Sequence, residues 1–264
     1  MSLPTVERLE ACMRSTQSLL ADLDAADWSV PSLCPGWTVR DVVQHLAGIE
    51  ELLLGWWPDG EKPAPFDRLG EYLAFASGAT PAEILVRFGD TLDARRAELA
   101  RRTDEDFAAV SWTPIGVATY GRFMEIRSFD FWVHEQDMRV PLGRLSDLGG
   151  PAAAAAVEEV RRSFGYIVGK SADVPDGRRV AVRLTGPVHT DLCAVVVDGR
   201  AWVVERDDAR DGEPDAEVVT DSLTFLLLAC GRIDPTEPLR DGRVQLRGDI
   251  TLAERLASNL RFTR

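Results

Sequence analysis

The sequence has few of several residue types that commonly carry function. Its 264 residues include three histidines and four cysteines, and lysine occurs only at positions 62 and 170. The cysteines form no C-x-x-C pair and no charged, apolar leader opens the chain, which predicts a reduced, cytoplasmic protein. The longest apolar runs, such as residues 225–230, are too short to cross a bilayer, so we expect no membrane insertion.

Positive charge is also scarce relative to negative charge. Thirty basic residues against forty-three acidic ones give a formal net charge of −13. Such a field repels a phosphate backbone or an anionic membrane surface, so neither nucleic acid nor a membrane is an expected partner. The preference for arginine over lysine, with abundant alanine and glycine, indicates a host with a GC-rich genome.

The first half of the chain contains four segments with helical periodicity. Apolar residues recur at three- and four-residue steps over 6–23, 38–57, 81–99 and 120–139. Thr38 and Asp41 have the spacing of a capping box, Pro81 suits a first helical position, and Pro141 with Gly143 is expected to end the last helix. We therefore predict an antiparallel four-helix bundle over residues 1–146.

The pattern changes in the second half, residues 147–264. An alanine-rich helix is expected over 152–168, and valine-rich strands separated by turn signals follow it. His189 is expected in an exposed loop. The remaining predicted elements are strands at 179–184, 192–197, 201–205 and 244–247 and helices at 222–230 and 250–260. This half is therefore predicted to be a separate α+β domain.

Two of the three histidines fall inside predicted helices. His45 lies three residues after Val42 and four before Ile49, which directs it toward the apolar face of its helix. Asp130 and His134 are four residues apart, on one face of the last helix of the bundle. Buried imidazoles and a buried carboxylate need partners, because an unpaired polar group in a core costs about 1–3 kcal/mol.

A divalent metal would satisfy these three side chains together. Two nitrogens and one oxygen suit zinc first, and also nickel or iron(II), and three protein ligands leave positions for water or substrate. The spacing also fits two plainer interpretations. A histidine can simply be hydrogen bonded in a core, and Asp130 and His134 can form a surface ion pair.

Two stretches resemble signatures of the mycothiol-dependent maleylpyruvate isomerase family. The first is SLCPGWTVRDVVQHLAG at 32–48, and the second is RSFDFWVHEQDMR at 127–139. The resemblance implies a DinB-like, metal-binding four-helix bundle with His45, Asp130 and His134 as the ligands. The characterised isomerase type has Glu where this chain has Asp130, one methylene shorter. This departure bears on the particular isomerase activity more than on the metal.

The second half, including residues 246–260, is similar to the sterol-carrier-like α+β domain of these proteins. The resemblance thus covers nearly the whole chain and implies an actinobacterial protein that uses mycothiol as a cosubstrate. A metal-bound thiol has a lowered pKa and can add as a thiolate to a small electrophilic substrate. The expected activity is isomerisation of a double bond or transfer of the thiol. The sequence does not decide the oligomeric state.

A noncatalytic binding module is the alternative function. The sequence contains no obvious acid–base pair, no G-x-x-x-x-G-K phosphate loop and no G-x-S-x-G nucleophile elbow. In this alternative the metal is structural, or the second domain holds a small apolar ligand, or the bundle binds a protein partner. An open coordination position that responds to added thiol would distinguish the enzyme from the module.

Two arginines are the candidate catalytic groups. Arg127, three residues before Asp130, could hold a substrate carboxylate, since a guanidinium binds carboxylates through two hydrogen bonds. An ion pair with Asp130 is the plainer role for Arg127. Arg232, just after the predicted helix at 222–230, is expected to reach the thiol or the substrate.

Two more side chains are candidates for support of the metal ligands. Asp41 and Asp137 lie one helical turn from His45 and His134 and could accept an imidazole N–H. Helix capping and surface exposure are the alternatives for these two carboxylates. Cys34 is expected to be a buried structural thiol, and the tryptophans are assigned to packing.

Overall fold

The computed structural model describes residues 2–263, and the chain divides into two compact units, one up to residue 146 and one from residue 147. The first unit is helical and the second combines helices with a sheet, which confirms the predicted fold class. Within the described residues, every helix is too short or too polar to span a bilayer.

Long helices dominate the first unit. Helices α1, α2, α4 and α6 contact one another in a ring, α1 with α4 and α6, and α2 with the same two helices. These are the four predicted helices, and side chains such as Leu46, Phe88 and Phe131 are buried among them. The elements are α1 (Ser2–Ala21), α2 (Val39–Leu53), α3 (Leu69–Gly78), α4 (Pro81–Leu99), α5 (Asp104–Ala108), β1 (Val110–Thr113), β2 (Gly116–Thr119) and α6 (Tyr120–Leu142).

Local sequence sets where these helices begin. At the start of α2, the Asp41 N–H donates to Thr38 Oγ1 at 3.3 Å, and the Thr38 N–H donates to Asp41 Oδ2 at 2.8 Å. Thr80 and Glu83 make the same reciprocal pair at α4, whose first residue is Pro81. Each pair satisfies backbone N–H groups that have no partner inside the helix. The predicted capping box is confirmed.

Helix α6 ends later than the sequence predicts. Pro141 lies in its last turn, the helix ends at Leu142, and Gly143 follows in a left-handed conformation with φ 66°. Proline lacks the N–H that would bond to the carbonyl four residues earlier, at Asp137. The Leu33 N–H donates to that Asp137 carbonyl instead, at 3.0 Å. Pro141 therefore leaves an acceptor that fastens the loop before α2 to α6.

Helix α3 and the β1–β2 hairpin are absent from the sequence prediction. Helix α3 packs closely on α2, since a Cβ at Gly48 would lie 2.7 Å from Leu69 Cδ1 and 2.9 Å from Tyr72 Cδ1. Strand β1 buries Ser111 and Thr113 and exposes Val110, so its apolar residues do not follow the alternation expected of a half-buried strand. Both elements depend on packing rather than on a local pattern.

The second unit is built on a five-stranded sheet in the order β5-β4-β3-β6-β7. Strands β3 and β6 are parallel and the other neighbours are antiparallel. Helices α7, α9 and α11 pack on the sheet. The elements are α7 (Pro151–Tyr166), β3 (Arg179–Thr185), β4 (His189–Val197), β5 (Arg200–Val204), α8 (Asp208–Asp211), β6 (Ala216–Thr220), α9 (Ser222–Ala229), α10 (Thr236–Asp241), β7 (Val244–Gly248) and α11 (Ile250–Ser258).

The structure of this unit departs from the prediction at four elements. Strand β6 and helices α8 and α10 are missing from the prediction, and His189 begins β4 instead of lying in a loop. Strand β6 is buried along its whole length, but Glu217 interrupts its apolar run and hides the strand signal. His189 is exposed, as expected, and pairs with Thr185 across the sheet.

Candidate metal centre

The three predicted ligands meet between helices α2 and α6. His45 projects from α2, and Asp130 and His134 project from α6, one turn apart. His45 Nε2 lies 3.4 Å from Asp130 Oδ2, and His134 Nε2 lies 3.5 Å from Asp130 Oδ1. One donor atom from each residue falls within 4.8 Å of the other two. Helical spacing and the packing of α2 against α6 thus bring two nitrogens and a carboxylate together.

Each of the two imidazole nitrogens lies about as far from an Asp130 oxygen as two ligands of one tetrahedral ion lie from each other, and the two distances end on different oxygens of the carboxylate. Two ligand atoms bound about 2.0–2.1 Å from a tetrahedral zinc lie roughly 3.3–3.4 Å apart. The side chains of His45 and Asp130 are 25% and 28% exposed, and that of His134 is 10% exposed. A cation held here would have three protein ligands and one side open to solvent. The donor set and the partial exposure therefore suit a centre that accepts an external ligand.

The other ring nitrogen of His134, Nδ1, contacts a carboxylate of the protein. This nitrogen lies 2.9 Å from Asp137 Oδ2, and the Cys34 thiol donates to the same Oδ2 at 3.0 Å. With a proton on Nδ1, the ring donates to Asp137 and presents the lone pair of Nε2 to a metal. This is the carboxylate–histidine arrangement that orients ligands in many metal sites. Asp137 thus has the contact predicted for it.

Cys34, His134 and Asp137 also form a second group of ligand-type side chains. All three are buried, and Cys34 Sγ lies 3.6 Å from His134 Nδ1. Hydrogen bonds within the group already occupy the carboxylate oxygen that faces the thiol and the imidazole. We interpret the group as support for His134, with Cys34 in the buried position expected for it.

The Arg127 side chain is buried and already forms ion pairs, so it is less accessible than a typical substrate-binding side chain. It is 5% exposed, and Nη1 donates to Asp130 Oδ2 at 2.5 Å. Its Nε and Nη2 both donate to Glu50 Oε1, at 3.0 Å and 2.9 Å. The ion pair with Asp130 is therefore present. A role in binding a substrate carboxylate remains a prediction.

Asp130 is stabilised as a carboxylate. Burial alone would raise its pKa, but the charge of Arg127, together with His134 and His45, outweighs burial and holds the pKa of Asp130 below its usual range. An ionised carboxylate is the form that binds a metal.

Two further predicted residues, Asp41 and Arg232, have contacts of their own. Asp41 belongs to the cap of α2, where its Oδ2 accepts from the Thr38 backbone and hydroxyl. Arg232 lies between α9 and α10 in the second unit, and its Nη1 donates to the Cys230 carbonyl at 3.1 Å. It lines a pocket of about 340 Å³ in that unit, together with Arg261. Its catalytic role stays a prediction.

Two site residues escape sequence reasoning. Trp37 is 38% exposed, and its indole lies nearly parallel to the His134 ring at a centroid distance of 6.1 Å and tilted against His45 at 5.4 Å. Its position one residue before a capping threonine indicates only packing. Glu50 is fully buried at the centre of an ion-pair network. It lies four residues after Leu46 and three before Leu53, so its position on the apolar stripe of α2 is the signal that could have found it.

Comparison with known proteins gives matches to both units. Residues 9–139 match the family model described as "Mycothiol maleylpyruvate isomerase N-terminal domain", and residues 173–261 match the "SCP-2 sterol transfer family". A search of the curated proteins found no match.

The chain also resembles solved structures. One is a crystal structure of a mycothiol-dependent maleylpyruvate isomerase, with a TM-score of 0.61, 16% identity, and coverage of 88% of this chain and 90% of that one. A histidine-to-alanine mutant of such an isomerase gives a TM-score of 0.58 with the same identity and coverage. At this identity the likeness shows a shared fold.

Proposed function

Because the chain belongs to the family of the mycothiol-dependent maleylpyruvate isomerases, we propose that its helical unit is a metal-dependent, thiol-using catalytic centre. His45, Asp130 and His134 would hold the divalent ion, with zinc as the first candidate and nickel or iron(II) as others. Mycothiol would be the cosubstrate, and a small electrophile would be the substrate. The convergence of the three side chains, each with one donor atom within 4.8 Å of the other two, carries this proposal.

A bound divalent ion would lower the pKa of a coordinated thiol, so that a thiolate is available near neutral pH. The residues of this chain would bind the ion and orient its ligands. Asp137 fixes the His134 ring through Nδ1, and Trp37 provides an aromatic wall beside both imidazoles. Arg127 stays the candidate for holding a substrate carboxylate. Arg232, on the pocket of the second unit, stays the candidate for contact with the thiol or the substrate.

The thiolate sulfur would form a bond to one carbon of an activated double bond, and the electron pair of that bond would move into the activating group. Rotation about the resulting single bond, followed by loss of the same thiolate, would convert cis to trans with no net change in composition. Retention of the adduct with uptake of a proton would make the protein a thiol transferase. Asp130, shorter than the glutamate of the characterised isomerase type, leaves both outcomes open to test.

All four cysteines are buried thiols. This observation supports the cytoplasm as the compartment, because thiols are kept reduced there.

The decisive experiment measures metal content and thiol chemistry together. Purified parent protein should contain close to one equivalent of a divalent metal, and His45→Ala and His134→Ala should lose it. His189→Ala, a histidine variant in the other unit, is the matched control and should keep it. Metal-loaded protein is then incubated with mycothiol and a panel of unsaturated acids and epoxides. Mass spectrometry should detect isomers or thiol adducts, and metal binding without either product would favour the noncatalytic module.

A further inference from the structure

An unbroken line of ion pairs leads from the interior of the helical unit to one metal ligand. Arg95 Nε donates to Glu50 Oε2 at 3.1 Å, and Arg127 donates twice to Glu50 Oε1. Arg127 then donates through Nη1 to Asp130 Oδ2. Glu50 and Arg95 are 0% and 1% exposed. Solvent therefore does not compete for these contacts, and Glu50 fixes the position of Arg127 from the interior of the unit.

The contacts divide the two oxygens of Asp130. Oδ2 accepts from Arg127 and also faces His45 Nε2 at 3.4 Å. Oδ1 faces His134 Nε2 at 3.5 Å. A cation between the two imidazoles would thus meet both carboxylate oxygens, and a carboxylate can bind a metal through one oxygen or two. Of these two oxygens, Arg127 donates its hydrogen bond to Oδ2.

We propose that Arg127, held by Glu50, is a positioning residue that makes Asp130 a ligand through Oδ1 only. The inference rests on the proposed function. A second bond from Oδ2 would occupy a coordination position that an incoming thiol needs. By engaging Oδ2, Arg127 keeps that position open and also offsets part of the negative charge that would oppose a thiolate. Glu50 acts one step further back, since it orients the guanidinium.

The geometry requires arginine rather than any cation. The guanidinium reaches Glu50 and Asp130 at once because its nitrogens form a planar fork. A lysine ammonium is a single point charge at the end of a flexible chain, so Arg127→Lys keeps the charge and loses the simultaneous contacts. A Glu50→Gln/Arg127→Met double variant removes both charges together, so neither charge of this pair is left buried without the other.

Cobalt(II) substitution tests this role without an activity assay. Visible cobalt bands are strong for four-coordinate ions and weaken as the coordination number rises. The parent should show strong bands, and mycothiol should add a sulfur-to-cobalt charge-transfer band. Arg127→Lys and the double variant should show weaker bands and need at least tenfold more mycothiol. Arg122→Gln is the control, because Arg122 also lies on α6 and pairs with Glu125, and its spectrum should match the parent.

The outcomes separate the two proposals. If the parent binds no cobalt, or mycothiol leaves its spectrum unchanged, the proposed function fails and the role of Arg127 fails with it. If the parent responds and the Arg127 variants reproduce its spectrum and its thiol affinity, the positioning role alone is wrong. Far-UV circular dichroism checks the fold, and Arg127→Lys decides the question should the double variant not fold.

Discussion

Each unit of the chain surrounds one glutamate with arginines, and the two clusters differ in burial. In the helical unit, Glu50 sits between Arg95 and Arg127, and these three side chains are at most 5% exposed. This buried cluster ends on Asp130, a candidate metal ligand.

The second cluster lies on the sheet of the α+β unit. Glu217 pairs with Arg206, with Arg183 Nη2 at 3.4 Å and with Arg247 Nη1 at 3.4 Å. Glu217 and Arg206 are mostly buried, with side chains 7% and 11% exposed, whereas those of Arg183 and Arg247 are 36% and 54% exposed. Asp191 provides a second carboxylate within 3.5 Å of Arg183.

The difference shows how the same ion-pair chemistry serves different ends. Charges removed from water must pair in a fixed geometry, because an unpaired buried ion is very costly. A partly exposed cluster can exchange partners, and solvent screens it. The Glu50 cluster can therefore hold a metal ligand in one orientation, whereas the Glu217 cluster contributes a modest, redundant stabilisation to the sheet.

The largest expected difference between the clusters is in stability. Glu50→Ala removes a fully buried carboxylate that contacts two buried arginines, which keep Glu98 and Asp130 as carboxylate partners. Because solvent cannot replace the lost contacts, the free energy of unfolding should fall by about 3–5 kcal/mol. Glu217→Ala should cost about 1–2 kcal/mol, because Asp191 still pairs with Arg183. Urea denaturation followed by circular dichroism measures both changes. Equal losses in the two variants would show that burial does not separate the clusters.

Metal binding should affect only the unit that contains the Glu50 cluster. A divalent ion at one hundred times its dissociation constant should stabilise the helical unit by about 2.7 kcal/mol. Calorimetry with zinc, and then with a chelator, should therefore move one unfolding transition and leave the other in place. The shift should vanish in His45→Ala and persist in His189→Ala. Loss of the shift in both variants would indicate that zinc acts elsewhere.

Asp137, whose carboxylate contacts His134 Nδ1, should affect zinc affinity, whereas the carboxylates of the Glu217 cluster should not. Asp137→Asn weakens the hold on His134 Nδ1 and should reduce zinc affinity by about 10- to 100-fold, as loss of such outer partners commonly does. Cys34→Ala should have a smaller effect, since the thiol contacts Asp137 and not a metal. Asp191→Asn, in the Glu217 cluster, is the control. Competition titration against a chromophoric chelator measures the affinities, and parent-like affinity in Asp137→Asn would refute this support.

Salt gives the smallest expected effect. At 1 M salt the Debye length is about 3 Å, so exposed ion pairs are screened and buried ones are little affected. The stability deficit of Glu217→Ala should shrink by about 0.5 kcal/mol between low and high salt. The deficit of Glu50→Ala should stay constant over the same range. A parallel decrease in both would contradict the burial assigned to Glu50.

The sequence allows a good prediction of the residues with periodic neighbours. The apolar steps around His45 and the four-residue spacing of Asp130 and His134 are local, and they place the three side chains on the inner faces of two helices. The capping threonine at position 38 fixes where α2 begins. These local signals suffice to bring the candidate metal ligands together.

The supporting groups depend on contacts between distant segments. Glu50 and Arg127 are 77 positions apart. Helical spacing places each beside buried apolar residues of its own helix, but no local pattern shows that the two side chains pair. Trp37 reaches the imidazoles from a loop that is fastened to α6 because Pro141 frees the Asp137 carbonyl for Leu33. The wider shell of the site is therefore a product of tertiary packing, which periodicity does not describe.

X-ray absorption spectroscopy of the zinc-loaded protein, with and without mycothiol, tests the central claim most directly. Without thiol, the first shell of the zinc should contain nitrogen and oxygen atoms from His45, Asp130, His134 and solvent. With mycothiol, one sulfur should lie about 2.3 Å from the zinc. A first shell that gains no sulfur from the thiol, or that already contains a protein sulfur, would contradict a centre built to activate an external thiol.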